Sequence, residues 1–433
     1  MPSSTARKAK GERASPTIFE DVTNPFCGTL PDDLVVERTD QGLKVLKNGC
    51  GKSIAGFERK LPPSGPKLGG KEVDLAKAIK EAARLIVKAA QPLYGGLATD
   101  VEGMRAVMAL AEKSGGIVDH ALSEAQYRNF KILQSSGWIM STLTEARNRA
   151  DLFIIAGSDI HKLHPRFFER IVSPPDSMFE VEALKRTVVF IGRGLDRSGA
   201  KGSRVGEVVT IACKDEQAGD VVAVVRARLR GFRIAETKLE GVTLAEVDAL
   251  AERCRNAKYG VVVWAPPSLN FPFADLAVDQ FAGLSKDLNP TIRSVGLSLG
   301  GAEGAITAAG VCTWISGYPL RVSYATGAPD YDPYRWAIGR MLKDGEGDLL
   351  VWIASISPDL APPETDLPMI VLGTPGLKLA KEPAVFIPVG TPGLDHAGRL
   401  IRVDSVVSLP LKNLGRAPLP SVADLLVSIE AAL

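Results

Sequence analysis

Short apolar runs alternate with amphipathic stretches along most of the chain. DLFIIAGSD at 151–159 and KYGVVVWAP at 258–266 are typical of strands that are buried on both faces of a parallel sheet. Apolar residues spaced three and four apart predict helices over 73–90, 100–113 and 244–255. Strand and helix alternating at this spacing predict an α/β fold made of doubly wound, Rossmann-like sheets.

The same pattern, with its Pro and Gly clusters, divides the chain into regions. They are a disordered arm over 1–16, a small β unit and its Pro/Gly-rich linker over 17–70, a first α/β unit over 71–185, a second α/β unit over 186–330, and a return to the first unit over 331–433. The second unit either follows the first or is inserted into it. The last region carries an alternating hairpin at 398–412 and a C-terminal helix.

Composition narrows the class of protein. The charges nearly cancel, with 52 basic against 50 acidic side chains, which gives no case for nucleic acid as the partner. Five cysteines, odd in number and widely spaced, suit a reducing cytoplasm better than a disulfide framework. No apolar run reaches about 18 residues, so no membrane association is expected. We therefore predict a cytoplasmic protein.

Two cysteines stand in loops that look like half of an iron–sulfur site. Cys27 lies in NPFCGTLPDD at 24–33, and Cys50 lies in NGCGK at 48–52. A four-iron cluster needs thiolates at short spacings, and Asn24 and Pro31 stand where two of them would be required. Proline has no side-chain donor, so the loop as written cannot close around iron. In an arbitrary protein both cysteines would simply be small buried residues.

The N-terminal segment resembles the B subunit of formylmethanofuran dehydrogenase, a molybdenum or tungsten pterin oxidoreductase subunit whose N-terminal cysteines hold a four-iron cluster. Further blocks resemble the same family in the same order. They are PLYGG and its continuation at 92–119, EARNRADLFIIAGSDIHKLHPR at 145–166, GVCTWISGYPLRVSYATGAPDYDPYRW at 310–336 and GTPGLDHAGRLIRVD at 390–404. The resemblance implies two interleaved Rossmann-like units of the molybdopterin oxidoreductase type, preceded by a β remnant of the iron–sulfur domain.

The departures from the family decide the expected function. The resemblance places the family's metal-ligating Cys, in the context Cys-His-Gly-Pro-Ser, at Ala125, counted back from ILQ at 132–134. A methyl group cannot coordinate tungsten or molybdenum, and Tyr127 with Arg128 would crowd a position that needs Gly-Pro. We therefore predict that this chain binds neither a pterin-metal cofactor nor an iron–sulfur cluster. No catalytic, cofactor-binding or metal-binding residue is predicted in it.

A branch of the family fits this pattern, because the chain resembles the B subunit of the bacterial formyltransferase/hydrolase complex of methylotrophs. The resemblance implies a complex that moves a formyl group from formyl-tetrahydromethanopterin to a methanofuran-like carrier, methylofuran, and releases formate. The chemistry would lie on an amidohydrolase-like A subunit that holds metal and on a formyltransferase D subunit, with a C subunit next to them. Methylofuran is expected near the interfaces. The alternatives are an active tungsten or molybdenum dehydrogenase subunit, and a module that binds the carrier or a nucleotide in the former pterin cleft.

Other candidate chemistry is weaker. His161 and His164 are spaced for one helical turn but have no third metal ligand nearby, so His164 is expected to begin a helix with Pro165 in its first turn. GGAEG at 300–304 follows a strand and opens a helix, as phosphate-binding loops do, but it lacks the full glycine spacing and the Lys. GLSLG centres on Ser298, yet Asp395 and His396 are adjacent and make a poor hydrolase triad.

Overall fold

The computed structural model describes residues 16–178 and 185–433. The arm predicted over 1–16 therefore lies, except for Pro16, outside the described residues. The α-helices are α1 Gly51–Phe57, α2 Leu75–Lys88, α3 Val101–Ser114, α4 Ser123–Ser135, α5 Leu143–Arg149, α6 Ile160–Leu163, α7 Ala218–Leu229, α8 Leu244–Asn256, α9 Ala274–Leu288, α10 Ala305–Ser316, α11 Ile338–Lys343 and α12 Val422–Glu430. Single turns of other helix types are a π turn at Phe168–Val172 and 3-10 turns at Asp215–Gln217, Pro266–Ser268 and Ala302–Gly304.

The strands form four sheets. They are β1 Thr17–Val22, β2 Leu34–Thr39, β3 Gly42–Lys47, β4 Lys67–Leu68, β5 Lys71–Glu72, β6 Pro92–Ala98, β7 Ile117–Val118, β8 Leu152–Ala156, β9 Arg186–Ile191, β10 Val205–Ile211, β11 Tyr259–Trp264, β12 Arg293–Ser298, β13 Val322–Ser323, β14 Asp330–Tyr331, β15 Leu349–Ala354, β16 Met369–Gly373, β17 Val385–Pro388, β18 Gly398–Ile401 and β19 Ser408–Leu411.

The larger sheet has nine strands in the order β14-β13-β7-β6-β15-β16-β17-β4-β5. Its centre is parallel, with Val351 of β15 between Tyr94 of β6 and Ile370 of β16. Helices α2, α3, α10 and α12 cover one face with alanine, valine, leucine and methionine side chains. Because β6 leads outward to β7 while β15 leads to β16 on the other side, the sheet has a switch point between β6 and β15, where ligand crevices form in such folds.

The second sheet is parallel throughout, with the order β10-β9-β8-β11-β12. Helices α7, α8 and α9 pack on one face, and a cluster that includes Phe167, Phe168 and Phe190 fills the other. The α/β class predicted from the alternating pattern is confirmed. The two remaining sheets are the antiparallel β1-β2-β3 sheet and the β18-β19 hairpin, and that hairpin matches the one predicted at 398–412.

Two expectations about chain organisation differ from the structure. Strand β8, which the sequence pattern assigns to the first α/β unit, pairs instead with β9 and β11 of the later set, so sheet membership changes before residue 185. The predicted linker contains the β4-β5 hairpin, which extends the edge of the nine-stranded sheet beyond β17. Strand β8 is as apolar as expected, but sequence order does not reveal which neighbour a strand pairs with. Strands β4 and β5 have two residues each and are not predicted from the sequence.

Three local features of the helices also differ from the sequence pattern. The helix predicted from residue 100 begins one residue later, because Asp100 is the N-cap of α3 and its side chain accepts from the Gly103 N–H. His164 does not begin a helix but ends α6, and the next turn starts at Phe168. Helix α1 is not evident from the sequence, because GKSIAGF holds two glycines, which are poor helix formers.

The N-terminal β unit is fixed to the rest of the chain at Gly28. An added Cβ there would lie 2.3 Å from the Gly300 carbonyl oxygen. The Gly28 carbonyl also accepts from the Val403 N–H at 2.9 Å. Only a residue without a side chain can approach the Gly300 backbone this closely.

We expect Gly28→Ala to lower the free energy of unfolding by about 2 kcal/mol, because the clash is with backbone atoms that cannot rotate away. Urea unfolding followed by circular dichroism measures the change. Gly51→Ala is the matched control, since an added Cβ at Gly51 meets nothing within 4 Å. Equal stability of the two variants would show that the Gly28 contact is not a fixed point of the fold.

Candidate functional site

Ala125, which the resemblance places at the family's metal ligand, lies on α4 beside a cavity of about 240 Å³. The cavity opens where β12 ends and α10 begins. It is lined by Leu122, Ala125, Gln126, Asn129, Phe130, Leu133, Trp138, Met140, Pro266, Pro267, Ser298, Gly300, Gly301, Ala305, Ile306, Val403 and Ser405. No thiol, imidazole or charged group is present among these lining side chains. This donor set does not fit a thiolate-ligated metal.

The residues that follow Ala125 bind the loops around the cavity. Gln126 Nε2 donates to the Ala305 carbonyl at 3.0 Å, at the start of α10. Asn129 Nδ2 donates to Ser298 Oγ at 2.7 Å, and its Oδ1 accepts from Trp264 Nε1 at 2.9 Å. Helix α4 therefore joins the carboxyl ends of β11 and β12 to a helix that packs on the other large sheet.

Tyr127 and Arg128, which the sequence predicts would crowd the metal position, bind neighbouring loops instead. The Tyr127 hydroxyl lies 3.1 Å from the carbonyls of Pro319 and Leu320, and the Arg321 guanidinium sits 4.0 Å from the centre of its ring. Arg128 Nη1 donates to the Pro266 carbonyl at 2.6 Å. Both side chains thus hold the walls of the site together.

The loop around Cys27 is closed by hydrogen bonds. Cys27 is buried, and its Sγ lies 3.2 Å from Thr29 Oγ1 and 3.3 Å from His164 Nδ1. Burial, with Lys52 nearby, lowers the pKa of His164 to about 4, so this imidazole is neutral at neutral pH. The Asn24 N–H donates to the Pro31 carbonyl at 2.8 Å, which links the two residues that replace the expected cysteines.

The second cysteine has a local role. Cys50 is the N-cap residue of α1, and its N–H donates to Ser53 Oγ at 2.8 Å. His161, the other half of the weak zinc hypothesis, packs against the Phe168 ring with the ring centres 5.9 Å apart. Within residues 16–178 and 185–433, no three or more His, Cys, Asp or Glu side chains are grouped to hold a metal ion.

The residues of the weak hydrolase hypothesis have separate partners. Ser298 Oγ is held by Asn129. Asp395 forms a buried ion pair with Arg416, with Nε to Oδ1 at 2.9 Å, while His396 Nδ1 lies 2.9 Å from the Ala397 carbonyl. Ser298 Oγ, the Asp395 carboxylate and His396 Nδ1 are therefore bonded to groups other than one another.

A buried chain of polar groups lies at the carboxyl edge of the nine-stranded sheet, and the sequence does not reveal it. Arg59 Nη2 donates to Thr374 Oγ1 at 2.9 Å, and Thr374 Oγ1 is 3.4 Å from Thr391 Oγ1. The Thr391 N–H donates to Asp395 Oδ2 at 2.7 Å, which leads to Arg416. Burial, with Arg416 nearby, lowers the pKa of Arg59 to about 10. The signal that the sequence offers for this chain of groups is a polar residue within a few positions after each of the apolar strands β16 and β17.

The glycine-rich turn at 300–304 carries an unusual glutamate. Glu303, between Ala302 and Gly304, has φ of +53°, and its backbone carbonyl lies 3.0 Å from His120 Nε2. Burial raises the pKa of its carboxyl to about 7, and the nearby Lys52 and Arg59 oppose that rise. An acidic side chain in this turn argues against the phosphate role that the glycine pattern suggests.

The chain is similar to several known proteins. No protein-family model matches the chain. It is 26% identical over 425 residues to the B subunit of the tungsten-containing formylmethanofuran dehydrogenase 2 of Methanococcus maripaludis, covering 94% of this chain and 96% of the relative. The corresponding subunit of Methanocaldococcus jannaschii is 27% identical over 409 residues, with 90% and 92% covered. The predicted resemblance to the B subunit of formylmethanofuran dehydrogenase is confirmed.

A bacterial relative matches as well. The Fhc B subunit of the formyltransferase/hydrolase complex of Methylorubrum extorquens is 27% identical over 333 residues, covering 76% of this chain and 86% of the relative. A chain in the crystal structure of the formyltransferase/hydrolase complex FhcABCD from that organism, in complex with methylofuran, superposes with a TM-score of 0.72. It is 23% identical and covers 85% of this chain and 98% of its own length, so the two share a fold. Across the part of our chain that the structure describes, every helix is too short or too polar to cross a bilayer.

We expect Asn129→Ala to lower the free energy of unfolding by about 2 kcal/mol, because it leaves Trp264 Nε1 and Ser298 Oγ without their partner. Urea unfolding followed by intrinsic fluorescence measures the change. Asn270→Ala is the control, because Asn270 is exposed and binds only the outer end of Arg128. A change as small as that of the control would mean that α4 is not held by this amide.

We expect Glu303→Gln to change the pH dependence of stability. Because the folded chain keeps the Glu303 proton up to about pH 7, and the unfolded chain loses it near the ordinary value of 4.5, ionisation above that value destabilises the fold. The free energy of unfolding of the wild type should therefore fall relative to Glu303→Gln by on the order of 2 kcal/mol between about pH 5 and about pH 8. Denaturation curves of both proteins at the two pH values test this. A constant difference would show that Glu303 ionises freely.

Proposed function

We propose that this chain is a non-catalytic structural subunit of a cytoplasmic formyltransferase/hydrolase-type complex. The complex transfers a formyl group from formyl-tetrahydromethanopterin to a methylofuran-like carrier and releases formate during one-carbon oxidation. An amidohydrolase-like A subunit with its metal and a formyltransferase D subunit carry the chemistry, and a C subunit completes the assembly. This chain holds its partners in place and binds no pterin, metal or iron–sulfur cluster of its own.

The observation that carries the proposal is the environment of Ala125. A methyl group stands at the ligand position, neutral side chains line the adjacent cavity, and Gln126 and Asn129 are committed to structural hydrogen bonds. The loop at Asn24 and Pro31 is likewise closed by a backbone hydrogen bond. Both changes remove donors that redox chemistry would use. The Methylorubrum relative, named as part of a formyltransferase/hydrolase complex, supports the assembly role.

The main rival is an active tungsten or molybdenum dehydrogenase subunit. It is favoured by the archaeal relatives, which are named tungsten-containing and match over a larger share of the chain than the bacterial one. It requires a metal ligand other than a thiolate at residue 125. Among the described residues that line the cavity, the only polar side-chain groups are amides, serine hydroxyls and an indole N–H.

Metal analysis of the purified complex separates the two functions. We expect neither tungsten nor molybdenum in stoichiometric amount, no iron–sulfur absorbance assigned to this chain, and no formate-dependent dye reduction. Any of these signals would contradict the structural role. The mass of the chain on size exclusion, alone and co-expressed with its candidate partners, tests the assembly itself, and we expect a stable heteromeric complex.

An exposed aromatic surface at 314–334 is where we expect a partner to bind. Trp314 and Tyr334 are 62% and 63% exposed, and Tyr318 stacks on Tyr331 with ring centres 4.9 Å apart. Exposed clusters of this kind mark protein interfaces, in which Trp and Tyr carry much of the binding energy.

We expect the double substitution Trp314→Ser with Tyr334→Ser to weaken co-purification with the partner subunits at least about tenfold. Circular dichroism should be unchanged, because both side chains are exposed. Phe232→Ser is the matched control, because Phe232 is 61% exposed but follows α7 on the five-stranded sheet. Full assembly of the double variant would place the interface elsewhere.

A further inference from the structure

The cavity beside Ala125 is large enough for a small molecule. Its volume is about 240 Å³, and an apolar protein cavity of about 150 Å³ already binds benzene. Its walls come from α4, from the ends of β11 and β12, from the start of α10 and from the turn at 403–405. A single ring with one substituent fits this space. The cavity belongs to the chain itself, so a ligand in it does not depend on the proposed assembly role.

The walls restrict the charge of any ligand. Every lining side chain is neutral, and most are apolar, with Phe130, Trp138 and two prolines among them. Moving a carboxylate or phosphate into such surroundings without a counter-charge costs several kcal/mol. Nucleotides, phosphates and carboxylates therefore do not suit the cavity. The hypothesis of a nucleotide in this part of the cleft is disfavoured by the same argument.

Two residues of the wall each carry a buried polar atom that lacks a partner in the protein. Gln126 is 8% exposed, and because its Nε2 is held by Ala305, the atom left over is the acceptor Oε1. Trp138 Nε1 is a buried donor with no partner in the protein. Of the other polar side chains in the lining, Asn129 donates to Ser298 Oγ and accepts from Trp264, and Ser405 is exposed. A buried polar atom without a partner costs about 1–3 kcal/mol, which a suitable ligand would recover.

The indole that carries the free donor is held by an aromatic contact. The rings of Trp138 and Trp264 pack edge to face, with centres 5.6 Å apart and planes at 77°. Trp264 is in turn held by Asn129. This arrangement orients the Trp138 ring as one wall of the cavity before any ligand enters.

We propose that the cavity binds a small, uncharged aromatic molecule whose amide- or hydroxyl-type group donates to Gln126 Oε1 and accepts from Trp138 Nε1. The aromatic part packs against Phe130 and the prolines. The chemistry differs from that of a metal-bound cofactor, because recognition uses one acceptor, one donor and an apolar wall.

Three probes of similar size test the proposal on the full chain and on its complex. Benzamide supplies the donor, the acceptor and the ring, toluene supplies the ring alone, and benzoate adds a charge. Saturation-transfer NMR and quenching of tryptophan fluorescence measure binding. We expect benzamide to bind at least about tenfold more tightly than toluene or benzoate, since one buried hydrogen bond is worth on the order of 1.4 kcal/mol.

Variants then assign the contacts. Ala125→Phe fills the cavity and should abolish binding of benzamide and toluene, whereas Ala125→Ser, which hardly changes the volume, should preserve it. Trp138→Phe keeps a ring but removes the donor, and Gln126→Met keeps the length but removes the acceptor. Each should remove the preference for benzamide over toluene. Circular dichroism and the unfolding midpoint establish that each variant is folded. If one of Trp138→Phe and Gln126→Met does not fold, the other is sufficient for the test.

Three results would overturn the proposal. Benzoate binding as tightly as benzamide would show that charge is tolerated. Benzamide binding unchanged by Ala125→Phe would place the ligand outside the cavity. Benzamide binding to the free chain but not to the assembled complex would show that the cavity receives a side chain of a neighbouring protein in the assembly.

Discussion

The structure around the site depends on the hydrogen bonds that helix α4 makes through its two amide side chains. Gln126 reaches the first turn of α10, and Asn129 lies between the ends of β11 and β12. These elements belong to different sheets, so the amides fix how the two large α/β layers meet. Each amide lies in surroundings of low polarity, where a hydrogen bond is strong and its loss is costly. Side chains of α4 therefore set the geometry at this junction.

The N-terminal loop is also held together by contacts within the chain. Cys27 contacts Thr29 and the neutral imidazole of His164, and the backbone between Asn24 and Pro31 closes the turn. Gly28 brings this loop into direct contact with the Gly300 turn, next to the cavity. The Cys27 loop therefore adjoins the turn that lines the cavity beside Ala125, and both regions are packed and hydrogen-bonded.

Much of the fold follows from local patterns in the sequence. Strands β8, β11 and β15 are uninterrupted apolar runs, so their existence and burial are predictable. The sheet to which β8 belongs is not, because pairing is decided by tertiary packing. Counting along a family motif singles out Ala125, which the structure places in the lining of the cavity. The hydrogen bonds of Gln126, Tyr127 and Arg128 cannot, since they depend on loops more than a hundred residues away. The chain of polar groups from Arg59 to Arg416 escapes prediction for the same reason.

The bonds of α4 limit what one substitution at residue 125 can achieve. A thiol introduced there would lie in a neutral, mainly apolar wall on a regular helix, while Tyr127 and Arg128 stay bound to the 319–320 and 266 carbonyls. Opening the helix into a loop would break the Gln126 and Asn129 hydrogen bonds that join elements of the two large sheets. Designing a metal ligand into this helix would therefore require several changes made together.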